Sequence, residues 1–134
     1  MRILLDTHIA IWALNDDPRL SAKAKRLLLD EQNTVYYSTV SVLEVLLKHA
    51  RNPVNLELSA MDFVRYCKLA GYHPLGLSDK HILAIETLHR SARAKEHNDP
   101  FDKLLLAQAK IENLAFLTHD SLIPGYEEKC IIPV

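Results

Sequence analysis

The chain opens with Ile3-Leu4-Leu5 and passes at once into Asp6-Thr7. An apolar run of that length is too short for a helix, and it has no polar face to offer water. It reads as a strand buried on both sides, which is the habit of a parallel sheet covered by helices. An aspartate that ends such a strand stands at the sheet's C-terminal edge, where open α/β folds place their ligands.

The rest of the chain agrees with that architecture. Val35-Tyr36-Tyr37, Ala115-Phe116-Leu117 and Ile131-Ile132 are aromatic or β-branched in the manner of short strands, and His73-Pro74-Leu75 is a weaker candidate. Between them, residues Ile9 to Leu14 are helical in pattern, and serines mark later helix starts: Ser21 to about Asp30, Ser59 to Ala70, and Ser78 to about His89. Phe63, Val64, Cys67 and Ala70 share one helix face, and Ile82, Ile85 and Leu88 share another, so each is expected to lay an apolar stripe on a flat surface. Strands alternating with helices predict an α/β fold, a three-layer α/β/α sandwich around a central parallel sheet. Arg51-Asn52-Pro53-Val54-Asn55 reads as a loop, and Ser91 to Asn98 as a polar connection leading into Asp99-Pro100.

With 134 residues, 49% hydrophobic and 25% charged, the chain suits one globular domain, spanning 1–134. The start of the chain lacks a secretory signal and no apolar run approaches the roughly 20 residues that cross a bilayer, so a cytoplasmic protein is expected. Cys67 and Cys130 form no close metal-binding pair and are expected as reduced core thiols. A formal net charge of −1 excludes a protein that holds nucleic acid by bulk phosphate neutralisation. Any such contact has to depend on a local feature.

That local feature is acidic. Asp6 and Asp120 each follow a strand, and each also has a structural reading, as helix N-cap and as turn residue. Glu44 is the only charge between Val40 and Leu47, in a stretch that should pack on the sheet. A capping box from Ser41 or an ion pair with Lys48 would account for it, the former less well if Ser38 is the cap. Asp99-Pro100-Phe101-Asp102 is a strong helix start in which Phe101, Leu105 and Ala109 share a face. Asp99 is expected to cap, and Asp102, further into the helix, is the better ligand. Together the four positions Asp6, Glu44, Asp102 and Asp120 would converge on one sheet edge.

Two like charges 4 Å apart at an effective dielectric of about 20 repel by about 4 kcal/mol, so such a cluster calls for cations or protons. Carboxylate oxygens without cysteine pairs or a close histidine pair suit Mg²⁺ or Mn²⁺ rather than zinc. The matching reaction is phosphodiester hydrolysis, and the cations would let an acidic pocket attract phosphate. Lys48 and Lys103 could guide an RNA backbone; Arg51 reads as solvated surface. His8 and His119 flank the aspartates but, among seven scattered histidines, are not expected to serve as bases, and each is expected to point away from its neighbour. Trp12 reads as a core or interface residue rather than a base-stacking platform.

Four segments carry a family resemblance: Ile3-Leu4-Leu5-Asp6-Thr7-His8, Ser38-Thr39-Val40-Ser41-Val42-Leu43-Glu44-Val45, the run from Asp99-Pro100-Phe101-Asp102-Lys103 to Ala109, and Leu117-Thr118-His119-Asp120. In this order and spacing the chain resembles the PIN-domain nucleases, particularly the VapC-like toxins of toxin-antitoxin pairs. The resemblance implies a Mg²⁺- or Mn²⁺-dependent endoribonuclease, a homodimer, and an antitoxin whose C-terminal segment covers the site. It also implies Asp6, Glu44, Asp102 and Asp120 as the acidic set, Asp99 as peripheral, and Thr7 and Thr118 as supporting hydroxyls. Two rivals stand beside it. A phosphatase that forms an aspartyl-phosphate would want a second aspartate two residues after the first, where this chain has His8. A PIN-like module that binds RNA or protein without cutting would keep the scaffold alone.

Overall fold

The computed structural model describes residues 1–51 and 58–134. Its elements, in chain order, are β1 (Arg2–Leu5), α1 (Thr7–Leu14), α2 (Ala22–Leu29), β2 (Thr34–Ser38), α3 (Thr39–Arg51), α4 (Ala60–Leu69), β3 (His73–Leu75), α5 (Asp79–Leu83), α6 (Pro100–Glu112), β4 (Ala115–Thr118) and β5 (Ile131–Pro133). Single 3₁₀ turns cover Ala84–Thr87 and Ile123–Tyr126. The loop expected at Asn52 to Asn55 lies outside the described residues, while Arg51 is the last residue of α3.

All five strands pair in parallel in the order β3-β2-β1-β4-β5. Winding runs outward from β1 through β2 to β3, then returns to the other side of β1 for β4 and β5. The reversal between β1 and β4 is a topological switch point, where loops leave in opposite directions and open a crevice. His73-Pro74-Leu75 is the edge strand β3, a position that tolerates proline.

The period of two along each strand divides the core. Ile3 and Leu5 of β1, Val35 and Tyr37 of β2 and Leu117 of β4 face a cluster built with Ile9 and Trp12 of α1, Ala24 of α2, and Phe63 and Cys67 of α4. Leu4 and Phe116 face the opposite way, onto Leu105, Leu106 and Ala109 of α6 with Ile123 and Tyr126. Helices therefore cover both faces, and the three-layer α/β/α sandwich is the observed fold. Each fully buried leucine or phenylalanine stabilises it by about 1.5–3 kcal/mol relative to exposure.

Serine caps begin the expected helices. Ser21 Oγ accepts from Ala24 N–H and Ser59 Oγ from Asp62 N–H, each at 3.1 Å. Ser78 caps α5 through a box with His81, whose Nδ1 accepts from Ser78 N–H at 3.0 Å. That helix is much shorter than its sequence suggests. Thr87 Oγ1 donates to Ala84 O at 2.6 Å, and Leu88 N–H turns instead to Ile85 O at 3.1 Å. The hydroxyl competes with the backbone for the carbonyl and tightens the turn to 3₁₀. The expected stripe of Ile82, Ile85 and Leu88 is broken with it: Ile82 is 48% exposed, and the buried positions are His81 and Ala84. In α4, Phe63 and Cys67 are buried as expected but Ala70 is exposed. Cys67 is a core thiol pushed up to about 12 by burial, whereas Cys130 is only half-buried; both are free. Among the described residues no helix is long and apolar enough to cross a membrane.

Candidate metal centre

The switch point places Asp6, at the end of β1, next to Thr118 and Asp120, at the end of β4. Asp6 stands at the N-cap of α1, yet its side chain makes no capping hydrogen bond. Its Oδ2 instead accepts from Thr118 Oγ1 at 2.6 Å. The same hydroxyl oxygen accepts from Asp120 N–H at 3.1 Å, so Thr118 ties the two strand ends together. Asp120 also serves its loop, because Oδ1 accepts from Leu122 N–H at 2.8 Å. The turn reading of Asp120 is thus fulfilled with one oxygen.

The other two carboxylates arrive on helices from the flanking side. Ser38 Oγ accepts from Val40 N–H at 2.9 Å, so α3 is capped at Ser38 and Glu44 lies in its second turn. Ser41 is bonded elsewhere, its Oγ 2.8 Å from Thr7 Oγ1. Glu44 is 2% exposed. Lys48 Nζ reaches its Oε2 at 2.5 Å, the expected i,i+4 pair, but Oε1 is buried without a hydrogen-bond partner among the described residues. Leaving a buried charged oxygen unpaired costs several kcal/mol, a penalty that a cation would lift.

Asp102 comes from the first turn of α6. Asp99 caps that helix, its Oδ1 accepting from Phe101 N–H at 2.9 Å and Asp102 N–H at 3.3 Å, with Pro100 following. Gln108, fully buried, fixes the helix against the sheet by accepting from Ser38 Oγ at 2.5 Å and donating to Gly76 O at 3.3 Å. Asp102 is thereby held where it feels every neighbouring carboxylate. Burial first, then the charges of Asp6, Asp99, Glu44 and Asp120, push its carboxyl up to about 8. Asp6 is raised as well, chiefly by burial, against the pull of the Thr118 hydroxyl and His8 and with a further push from Glu44. The four carboxylates foreseen on one sheet edge influence one another through space, and Asp99 stays mainly a cap.

His97, at the end of the polar connection before α6, was not foreseen. It is buried, with Nε2 3.2 Å from Asp102 Oδ2 and Nδ1 2.6 Å from the Tyr126 hydroxyl. A ligand atom from each of His97, Asp102 and Asp120 lies within 4.8 Å of the others. Burial lowers the imidazole's affinity for a proton, partly offset by Asp120.

On the other side of Asp6, a cleft of about 300 Å³ is lined by Asp6, His8, Trp12, Arg19, His119 and Asp120. Trp12 belongs to the core beneath it. His8 and His119, expected to turn away, both line this cleft; His119 Nδ1–H donates to Val134 O at 2.6 Å and its ring meets Trp12 edge-on at 5.3 Å. Lys48 sits beside the site through Glu44, and the charge of Lys103 reaches His97. Arg51 is exposed at the end of α3.

Fold and site together define a parallel α/β protein with an acidic cleft at its switch point. A family model, the PIN domain, matches residues 3–128, and the chain belongs to the PIN-domain family. No curated protein sequence shows significant similarity to it. Solved structures share its fold at low identity. The chain is similar to VapBC2 from Rickettsia felis bound to a DNA fragment from its promoter, with TM-score 0.66, 18% identity, and 100% of this chain and 98% of that chain covered. It is also similar to a toxin-antitoxin complex from Klebsiella pneumoniae, with TM-score 0.60, 17% identity, and 97% and 95% of the respective chains covered. DNA-bound VapBC from Salmonella typhimurium gives TM-score 0.59, 14% identity, and 100% and 97% coverage.

Proposed function

We propose that the chain is a metal-dependent endoribonuclease, the toxin of a toxin-antitoxin pair, in which Asp6, Glu44, Asp102 and Asp120 hold Mg²⁺ or Mn²⁺. The observation that carries this reading is the set of mutually repelling carboxylates whose member Glu44 keeps a buried oxygen without a partner among the described residues. All the proposed ligands supply oxygen, which suits a hard divalent cation. When bound, the ion supplies a polarised phosphodiester and an acidified water.

The chain's own residues do the rest. Thr118 orients Asp6 and fixes the backbone at Asp120. Thr7 joins α1 to α3 through Ser41, holding Asp6 and Glu44 at a set separation. The core helices α1 and α6 keep water from the inner side of the cluster, so that each charge acts in a medium less screening than bulk water. Lys48, paired with Glu44, and Lys103, whose charge reaches His97, are assigned to the RNA backbone. Structures similar to this chain are toxin-antitoxin complexes, which supports an antitoxin partner; with it go the proposals that the antitoxin's C-terminal segment covers the cleft and that the toxin is a homodimer of the cytoplasm.

The test is incubation of purified protein with total RNA, with and without Mn²⁺, beside Asp6→Asn. Cleavage only by the wild type with metal is expected, with the variant at least as stable as the wild type without metal, because one repelling charge is gone. Undiminished cleavage by Asp6→Asn would remove this residue from the mechanism.

A further inference from the structure

The imidazole of His97 is bonded at both nitrogens, and its loop has other anchors. Arg90 already anchors that segment: its guanidinium donates to Leu122 O and Lys95 O, and Ser91 N–H donates to Gly125 O at 2.7 Å. The arginine also lies over the Tyr126 ring, 4.7 Å from its centroid. Gly125 leaves room for this packing, since a Cβ there would meet the guanidinium at 2.7 Å and displace it. Tyr126 is therefore gripped from one side by Arg90, and on the other its ring stands edge-on to His97 at 5.3 Å. Buried Tyr126, His97 and Asp102, with the half-buried Arg90 at their outer end, form one chain that ends at the carboxylate oxygen Oδ2.

We propose that His97 is a positioning residue for Asp102: Nε2–H donates to Oδ2 and fixes the carboxylate's orientation, while the Tyr126 hydroxyl donates to Nδ1 and so selects that tautomer. A carboxylate can bind a cation only if it carries no proton, and such a carboxylate offers acceptors alone. The nitrogen facing it must then be the donor, which leaves Nδ1 as acceptor and the tyrosine as the only proton source between them. The arrangement occupies one Asp102 oxygen and stops rotation of the group, leaving the other oxygen for the cation. Outer partners of metal ligands act in this way, and their loss weakens binding by about 10–100-fold. Solvent has little access to the bond between His97 and Asp102, since His97 is 6% exposed. This inference rests on the reading of Asp102 as a metal ligand.

The experiment compares wild type with His97→Gln, His97→Leu and Tyr126→Phe. Mn²⁺ alone is titrated and its free fraction read by electron paramagnetic resonance. Metal-free melting temperature and the kcat and KM of RNA cleavage accompany the titration, and ¹⁵N imidazole shifts report the tautomer. With diamagnetic Mg²⁺ bound, so that Asp102 carries no proton, the protonated Nε2 form is expected in the wild type and a mixture in Tyr126→Phe. His97→Leu should bind Mn²⁺ about 10–100-fold more weakly and lose kcat with KM little changed. His97→Gln, whose amide donates from nearly the same point, should recover most of that loss whatever its melting temperature. A protonated Nδ1 in the Mg²⁺-loaded wild type, directly bound ¹⁴N in the Mn²⁺ spectrum, or wild-type Mn²⁺ affinity in His97→Leu would each overturn the positioning role while leaving the nuclease reading intact. A wild type that neither binds Mn²⁺ nor cuts RNA overturns both.

Discussion

Thr118 does two jobs with one oxygen, donating its proton to Asp6 Oδ2 and accepting from Asp120 N–H. Thr118→Val keeps the shape of the side chain and removes both bonds. The Asp6 carboxyl, already raised by burial, then loses the hydroxyl that counteracts it and should rise further, so that at a given pH a proton competes better with a cation for it. Mn²⁺-dependent cleavage should fall by at least tenfold and recover in part as the pH is raised. A variant with wild-type activity at every pH would show that the hydroxyl is only structural. The acidic residues themselves were legible because each sits beside a feature with a local signature, a strand end or a helix start. His97 was not, because Arg93, Lys95 and Glu96 around it read as a solvated connection. What buries it is the return of the segment at Leu122–Tyr126, more than twenty residues away in sequence, and no local pattern encodes that fold-back.

Elements position these side chains through their ends, and α6 is the clearest case. Its N-terminus is set by Asp99 and Pro100, and its C-terminus by Asn113 at φ 54, a left-handed conformation that asparagine tolerates. Asp99→Ala should cost about 1 kcal/mol in urea unfolding. Asp99→Ser should cost little, since serine also caps and removing the charge relieves Asp102 of one of its repulsions. Equal losses in the two variants would mean that the cap is not what fixes the helix start. The sequence announced α6 and the strands because capping, proline at the first turn and β-branched runs are local and redundant. It overran α5 because the turn that ends it depends on one hydroxyl, Thr87 to Ala84 O, while the apolar spacing continues past it. The remaining polar contacts that hold α5 and α6 together, His81 and Lys80 to Glu112 at 2.8 and 3.1 Å, join residues that only the fold makes neighbours.

At the scale of the molecule, the acidic cleft sets a debt of stability that should be visible in pH. Asp102 has an ordinary carboxyl value of 3.8 when the chain is unfolded and about 8 in the folded protein. Below pH 3.8 both states hold the proton and the residue contributes no pH dependence. Between about pH 4 and 8 the unfolded chain gives it up while the folded one keeps it, so folding binds an additional proton and stability falls as pH rises. Above about pH 8 both are ionised and the penalty is complete, on the order of a few kcal/mol. Asp102→Asn never ionises and should escape this slope. In the absence of metal its melting temperature should match the wild type near pH 4 and exceed it increasingly up to pH 8, a comparison that also cancels the opposite contribution of depressed carboxyls such as Asp17 and Glu112. Trp12, the only tryptophan of the chain and 9% exposed, reports the transition by fluorescence. Millimolar Mn²⁺ should reverse the order at pH 8, because a cation that binds only the folded wild type raises its stability while the variant lacks one ligand. A wild type and variant that melt in parallel from pH 4 to 8, with no response to Mn²⁺, would mean that these carboxylates do not repel one another enough to require an ion, and the proposed chemistry would lose its physical basis.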